Sequence, residues 1–187
     1  KILPKLLIPI GEIRIVEHII NRFNQYGSDQ FYLVVNHKKN MIKAYFNEIE
    51  KSYRVDYVDE DKPLGTGGGL SLLKGKINST FILSNCDILI EEDYEKIYNY
   101  HKKEKNLITM VCSLKNIKIP YGVIETVDTQ LVSIKEKPLH RSFVNAGIYV
   151  LSPQTLDYIP NDEFYDMPTL FEKLIDINKR TSVFPIH

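Results

Sequence analysis

The chain has 187 residues, 43% hydrophobic and 26% charged, the composition of one ordinary globular domain able to bury a core. Lys plus Arg and Asp plus Glu number 24 each, which excludes the basic field that grips nucleic acid or an anionic membrane. Cys86 and Cys112 have no CxxC or histidine partners, so the sequence predicts reduced, buried thiols in a cytoplasmic protein rather than a zinc site or disulfide scaffold.

Taken in order, the segments read alternately as helix and strand. IVEHIINRF sets Ile15, Ile19, Ile20 and Phe23 at helical spacing and is stopped by Gly27; FYLVVN follows as an apolar strand. MIKAYFNEIEKS and YRVDYV repeat the pair. GGLSLLKG reads as a short helix and TFILSNCD as a strand apolar almost throughout, the pattern of a parallel strand covered on both faces. DYEKIYNYHKKEKN is helical, with Tyr94, Ile97, Tyr98 and His101 on one face, and NLITMVCSL is the next strand. Beyond Pro120 come three short strands, YGVIET, QLVSIKEKP and VNAGIYVLS, then a helix in MPTLFEKLIDINKR and a closing strand, SVFPI. The expected class is α/β, a doubly wound and mostly parallel sheet, with no linker dividing residues 1–187. No apolar run reaches the ~18 residues of a membrane span. Nothing in the sequence sets an oligomeric state.

Ligands of open parallel sheets bind at the carboxyl ends of strands, which here gather Asn36 and His37, then Asp59, Glu60 and Asp61, then Asn85 and Asp87. Between these lies PLGTGGGL, with four glycines in five positions from Gly65 to Gly69. It fits neither GxxxxGK[ST] nor GxGxxG, since Leu70 stands where the third glycine belongs. A bare backbone entering a helix suits close approach to a flat or anionic ligand; a tight strand-to-helix turn is the simpler alternative. Asp87 reads equally as a helix N-cap or a metal carboxylate, and Lys135, Glu136 and Lys137 as an exposed strand end. His18 and His101 read as packed or surface residues, and the twelve tyrosines as core rather than a stacking platform.

Together these segments resemble the sugar-1-phosphate nucleotidylyltransferases. PKLLIPIGEIRIVEHII is similar to the family's Pro-Lys-Pro segment, EDKPLGTGGGLSLL to its Pro-Leu-Gly-Thr-Ala-Gly loop, and FILSNCDIL to its strand ending in Gly-Asp; PYGVIE, IKEKP and VNAGIYVLSP continue in the family's order. The resemblance implies a Rossmann-like GT-A fold, Mg2+, and transfer of a nucleotidyl group from an NTP to a sugar 1-phosphate with release of pyrophosphate. It implies a metal role for Asp87 and phosphate contacts for Lys5 and Lys137. Leu64, Gly65 and Thr66 would lie along the nucleotide base, with Asn85 on the same nucleotide side, and Gly122, Glu136 and Asn145 would meet the sugar.

The resemblance also places a Gly-Gly-x-Gly-Thr-Arg loop ahead of Lys1 and a second metal aspartate beyond Phe184–His187, so the chain reads as truncated at both ends. Leu6 replaces the second proline, Ile13-Arg14 replaces Lys-Pro, and Cys86 stands where glycine often precedes the aspartate. The Gly-Thr form of the loop resembles guanylyl transferases, which makes GTP with mannose 1-phosphate or a heptose 1-phosphate the expected substrates. The alternative is an impaired domain that binds sugar nucleotides in a regulatory role; a dinucleotide oxidoreductase is disfavoured by the missing GxGxxG.

Overall fold

A computed structural model describes residues 3–186; Lys1, Ile2 and His187 lie outside the described residues. A 3-10 turn at Lys5–Leu7 leads into a small hairpin, β1 (Pro9–Ile10) with β2 (Ile13–Arg14), and then α1 (Ile15–Asn24). The Glu17 carboxylate reaches back to the Arg14 N–H at 2.8 Å, closing the first turn of α1, while Val16, Ile19, Ile20 and Phe23 form its buried stripe. Next come β3 (Gln30–Val35), α2 (Lys39–Glu48), β4 (Arg54–Asp59), α3 (Gly65–Gly68) with a 3-10 extension at Gly69–Leu73, β5 (Phe81–Ser84) and α4 (Tyr94–Lys103). The chain continues through β6 (Ile108–Lys118), β7 (Gly122–Val127), β8 (Gln130–Glu136), β9 (Leu139–Leu151), a 3-10 segment at Pro153–Tyr158, α5 (Met167–Asp176) and β10 (Thr181–Ile186).

The expected helices and strands are present, and the sheet is mixed. β3 and β4 pair in parallel; a second sheet runs in the order β10, β6, β9, β5, with β10 parallel to β6 and β9 antiparallel to both of its neighbours. The apolar strand β5, expected to pair in parallel, therefore has an antiparallel partner. Its unbroken apolar run reports cover on both faces, and that cover says nothing about the direction of the neighbouring strand.

Helices indeed cover both faces. Along β9, Tyr149 and Leu151 join a core with α5 and the 3-10 segments, whereas Ile148 and Val150 join a core with Ile19 and Phe23 of α1 and Tyr94 and Ile97 of α4. Tyr32 and Phe31 of β3 extend these same two cores, as Leu83 and Ile82 of β5 do, so both sheets share both helical layers. A third core, Leu7, Val16, Ile20, Val35, Ile42 and Phe46, ties α1 and α2 to β3 and anchors the Lys5–Leu7 turn. No helix among the described residues is long and apolar enough to cross a membrane. β7 and β8 form an antiparallel arm carried on the far ends of β6 and β9.

Candidate active site

At the carboxyl end of β5 the chain turns through Asn85, Cys86 and Asp87. Asp87 starts no helix: the N-cap of α4 is Asp93, whose carboxylate accepts from the N–H groups of Glu95 and Lys96 at 3.0 and 3.3 Å. Instead the Lys5 ammonium lies 3.3 Å from Asp87 Oδ2, joining positions 82 residues apart in sequence. The backbone beneath Lys5 is fixed by bonds from the Leu7 and Ile8 N–H groups to the carbonyls of Pro4 and Lys5, both 3.1 Å, and by buried Leu7. Lys5 and Asp87 themselves are 60% and 44% exposed, so a ligand can reach both.

Beside them the central strands are irregular. The β6–β9 register shifts between Met110 and Cys112, and the extra residues on β9 bulge out around Gly147, which has φ +71°. Its carbonyl accepts from the Asn85 N–H at 2.9 Å and its N–H donates to Asn145 Oδ1 at 2.8 Å. A Cβ at Gly147 would stand 2.6 Å from Asn85 Nδ2. Asn145 Nδ2 donates in turn to the Tyr149 hydroxyl. The bulge thus brings Asn85 and Asn145 together and aims the Asn145 amide, leaving it one N–H and one lone pair for a ligand. Sequence reasoning missed Gly147; the available signal was a glycine inside an apolar strand, which often marks a bulge.

The arm gathers a second group. Gly122 stands opposite Glu136, and Lys137, at φ +45°, donates its N–H to the Tyr121 carbonyl at 3.2 Å. Its ammonium lies 3.8 Å from Glu136 Oε1, so Lys137 pairs with its neighbour and not with Asp87. Lys135 is engaged elsewhere, 2.7 Å from Glu125, and holds that carboxyl below the usual range. These residues are exposed. Among the residues picked from the sequence, Lys5 meets Asp87, Asn85 meets Asn145 through Gly147, and Gly122 meets Glu136 and Lys137.

The glycine loop has an internal explanation. The segment before α5 lies across it: the Gly67 and Gly68 N–H groups both donate to the Tyr165 carbonyl at 2.9 Å, and a Cβ on Gly68 would approach the Glu163 carbonyl to 2.5 Å. These two N–H groups, read from sequence as available to a ligand, are spent on the chain itself. Thr66 Oγ1 accepts the Met167 N–H at 3.2 Å, capping α5, and buried Leu64 accepts the Tyr165 N–H at 2.8 Å. Gly65 is half-buried and Thr66 exposed at the carboxyl end of β4.

Next to the loop, Lys43 and Lys39 lie 2.8 and 3.7 Å from Asp59 and hold its carboxyl low. Burial pushes the Glu60 carboxyl up, against the pull of the Asn36 amide and the Leu64 N–H. Arg14, one position after Ile13, lies over the Tyr45 ring, 5.8 Å from its centroid. Cys112 is buried as expected, but Cys86 is exposed, because it follows the end of β5 in the turn that carries Asp87. Cavities of about 310 and 230 Å3, lined by Lys74, Gln154 and Asp157 and by His101, Lys105 and Ser152, contain none of the candidate residues.

Among the described residues no group of three His, Cys, Asp or Glu side chains could hold a metal ion. Magnesium commonly needs only one or two protein carboxylates, with water and phosphate supplying the other ligands, and a partly exposed Asp87 fits that manner of binding.

Residues 1–182 match the nucleotidyl transferase family. A UTP–glucose-1-phosphate uridylyltransferase from Synechocystis sp. is 30% identical over 195 residues, covering 93% of this chain and 50% of the relative. A bifunctional protein GlmU from Methanococcus maripaludis is 31% identical, covering 94% and 43%, and a mannose-1-phosphate guanyltransferase from Aspergillus fumigatus is 29% identical, covering 84% and 46%. The chain thus spans about half the length of the curated relatives it matches. Among solved structures, HddC from Yersinia pseudotuberculosis shares the fold, with a TM-score of 0.73 at 23% identity over 98% of this chain and 81% of that one; the same protein complexed with GMP-PN gives 0.74 at 21% identity over the same shares. With a family match along nearly its whole length and a layered α/β fold shared with solved relatives, this chain belongs to the nucleotidyl transferase family.

Proposed function

We propose that the protein transfers a nucleotidyl group from an NTP to a sugar 1-phosphate, releasing pyrophosphate, with GTP and mannose 1-phosphate as the preferred pair. The observation that carries this reading is the meeting of Lys5 with Asp87 at 3.3 Å across 82 residues, on the strand edge that also holds Asn85 and Asn145. The reaction sets a sugar phosphate oxygen against the α-phosphorus in line, so two anions must be held together while charge grows on the leaving pyrophosphate. Lys5 and Lys137 supply mobile positive charge to phosphate oxygens. Asn145 and Glu136 orient sugar hydroxyls, and Gly122 leaves space beside Glu136. Leu64, Gly65 and Thr66, with Asn85, bound the nucleotide. Asp87 would hold a magnesium ion, which when bound neutralises phosphate charge.

GTP is favoured by the Gly-Thr form of the loop, and the relative named a mannose-1-phosphate guanyltransferase and the GMP-PN complex of HddC support it. The uridylyltransferase among the relatives marks UTP with glucose 1-phosphate as the competing pair. The test is a panel of four NTPs against mannose, heptose, glucose and N-acetylglucosamine 1-phosphates with Mg2+, read as pyrophosphate release. The proposal expects the highest kcat/KM with GTP and mannose 1-phosphate. A higher value with UTP would transfer the assignment to a uridylyltransferase, and binding without turnover for every pair would leave a regulatory sugar-nucleotide domain.

A further inference from the structure

Lys5 and Asp87 carry two tasks that conflict. As long as the ammonium lies 3.3 Å from Asp87 Oδ2, it occupies the side of the carboxylate that faces it, and its charge repels any divalent ion approaching the same oxygen. Neither side chain is locked in place: Lys5 is 60% exposed on a flexible stem, Asp87 is 44% exposed, and an ion pair this open is weak. The backbone is another matter. Buried Leu7 and the two 3.1 Å bonds of the Pro4–Ile8 turn hold the Lys5 main chain, so an exchange of partners needs only side-chain rotation.

We infer that Lys5 is a stand-in cation for Asp87, exchanged when substrate arrives: the carboxylate accepts a divalent ion when the ammonium leaves, and the ammonium leaves when a phosphate is present to receive it. The inference rests on the metal role proposed for Asp87. It makes metal and nucleotide binding cooperative. Metal alone must displace Lys5 into water, and nucleotide alone must draw Lys5 from a carboxylate left unpaired; together, each removes the obstacle to the other. The coupling is reciprocal, since each ligand must change the affinity of the other by the same factor.

The experiment measures Mn2+ binding to the full-length protein by electron paramagnetic resonance, without and with a non-hydrolysable GTP analogue, in wild type, Lys5→Gln, Lys5→Arg and Asp87→Asn. Lys5→Gln is expected to tighten binding of Mn2+ alone by about 2- to 5-fold, the scale of one exposed charge pair, and to bring the metal–nucleotide coupling factor close to 1. Lys5→Arg, which keeps the charge, is expected to leave the affinity for Mn2+ alone near wild type. Unchanged or weaker binding of Mn2+ alone in Lys5→Gln overturns the exchange. If Asp87→Asn removes Mn2+ uptake while Lys5→Gln fails to tighten it, the exchange alone falls; if Asp87→Asn leaves Mn2+ uptake intact with and without nucleotide, the metal role of Asp87 falls with it.

Discussion

Two polar constellations sit at opposite ends of the central strands, and they differ in how fully their hydrogen bonds are satisfied. Near the start of β6, His101 of α4 is buried; its Nδ1 lies 2.9 Å from Thr109 Oγ1 and its Nε2 3.0 Å from Ser152 Oγ. Ser152 donates its own proton to the Asn106 carbonyl at 2.9 Å, so it must accept from His101 Nε2–H, which leaves Nδ1 to accept from Thr109. Asn106 Nδ2 donates to Thr109 at 3.0 Å and also to Ser182 of β10. This network ties α4, β6, β10 and the end of β9 together, and it fixes a neutral imidazole that burial holds down to about 4. At the other end, Lys5 and Asp87 share a single long contact in the open. In the buried set both His101 nitrogens are paired and Asn106 Oδ1 alone is left without a partner among the described residues, so it acts on stability; the half-open pair leaves room for a ligand.

The largest effect that would break this contrast concerns folding. His101→Leu takes the acceptor of the Thr109 hydroxyl and the donor to Ser152 Oγ out of the core and is expected to cost about 3 kcal/mol, lowering Tm by about 6–12 °C in a calorimetric scan. Asp87→Asn should stay within about 0.5 kcal/mol of wild type, because an exposed pair contributes little. Equal losses in the two variants would erase the distinction.

Close behind is the dependence on pH. His101 titrates lower in the folded protein than in the unfolded chain, so its contribution is complete above about 6.5 and is lost as pH falls towards about 4, where protonation favours the unfolded state. The expected loss is on the order of 3 kcal/mol across that window, measured by urea unfolding and read as the difference from His101→Gln. A wild-type curve parallel to that of the variant would contradict it.

Smaller effects sharpen the contrast within the site. Gly147→Ala places a side chain at φ +71° and against Asn85, with an expected cost of about 1–3 kcal/mol and a raised KM for the sugar phosphate as Asn145 loses its aim. Thr66→Val removes the hydroxyl that caps α5 and should cost about 1 kcal/mol.

Much of the fold was legible because hydrophobic period reports burial: the stripe of α1 and the alternation of β9 follow directly from their residues. Strand direction was not legible, since β5 is covered on both faces whichever way β9 runs. In the site, the motifs named Lys5 and Asp87, but only the fold shows that they touch. Gly147 escaped notice because a bulge is a matter of register between two distant strands. The second half of the glycine loop was hard to read for a related reason: bareness signals close approach, and at Gly67 and Gly68 it is Tyr165 and Glu163 of the chain itself, about a hundred positions away, that approach.

The most direct test of the central claim is pyrophosphate release by the full-length protein with GTP, mannose 1-phosphate and Mg2+, compared between wild type and Asp87→Asn at matched folding. Turnover that falls by about 100-fold or more in the variant, with Tm unchanged, is the predicted result. Turnover retained within a few-fold would contradict the placement of nucleotidyl transfer at the Lys5–Asp87 edge.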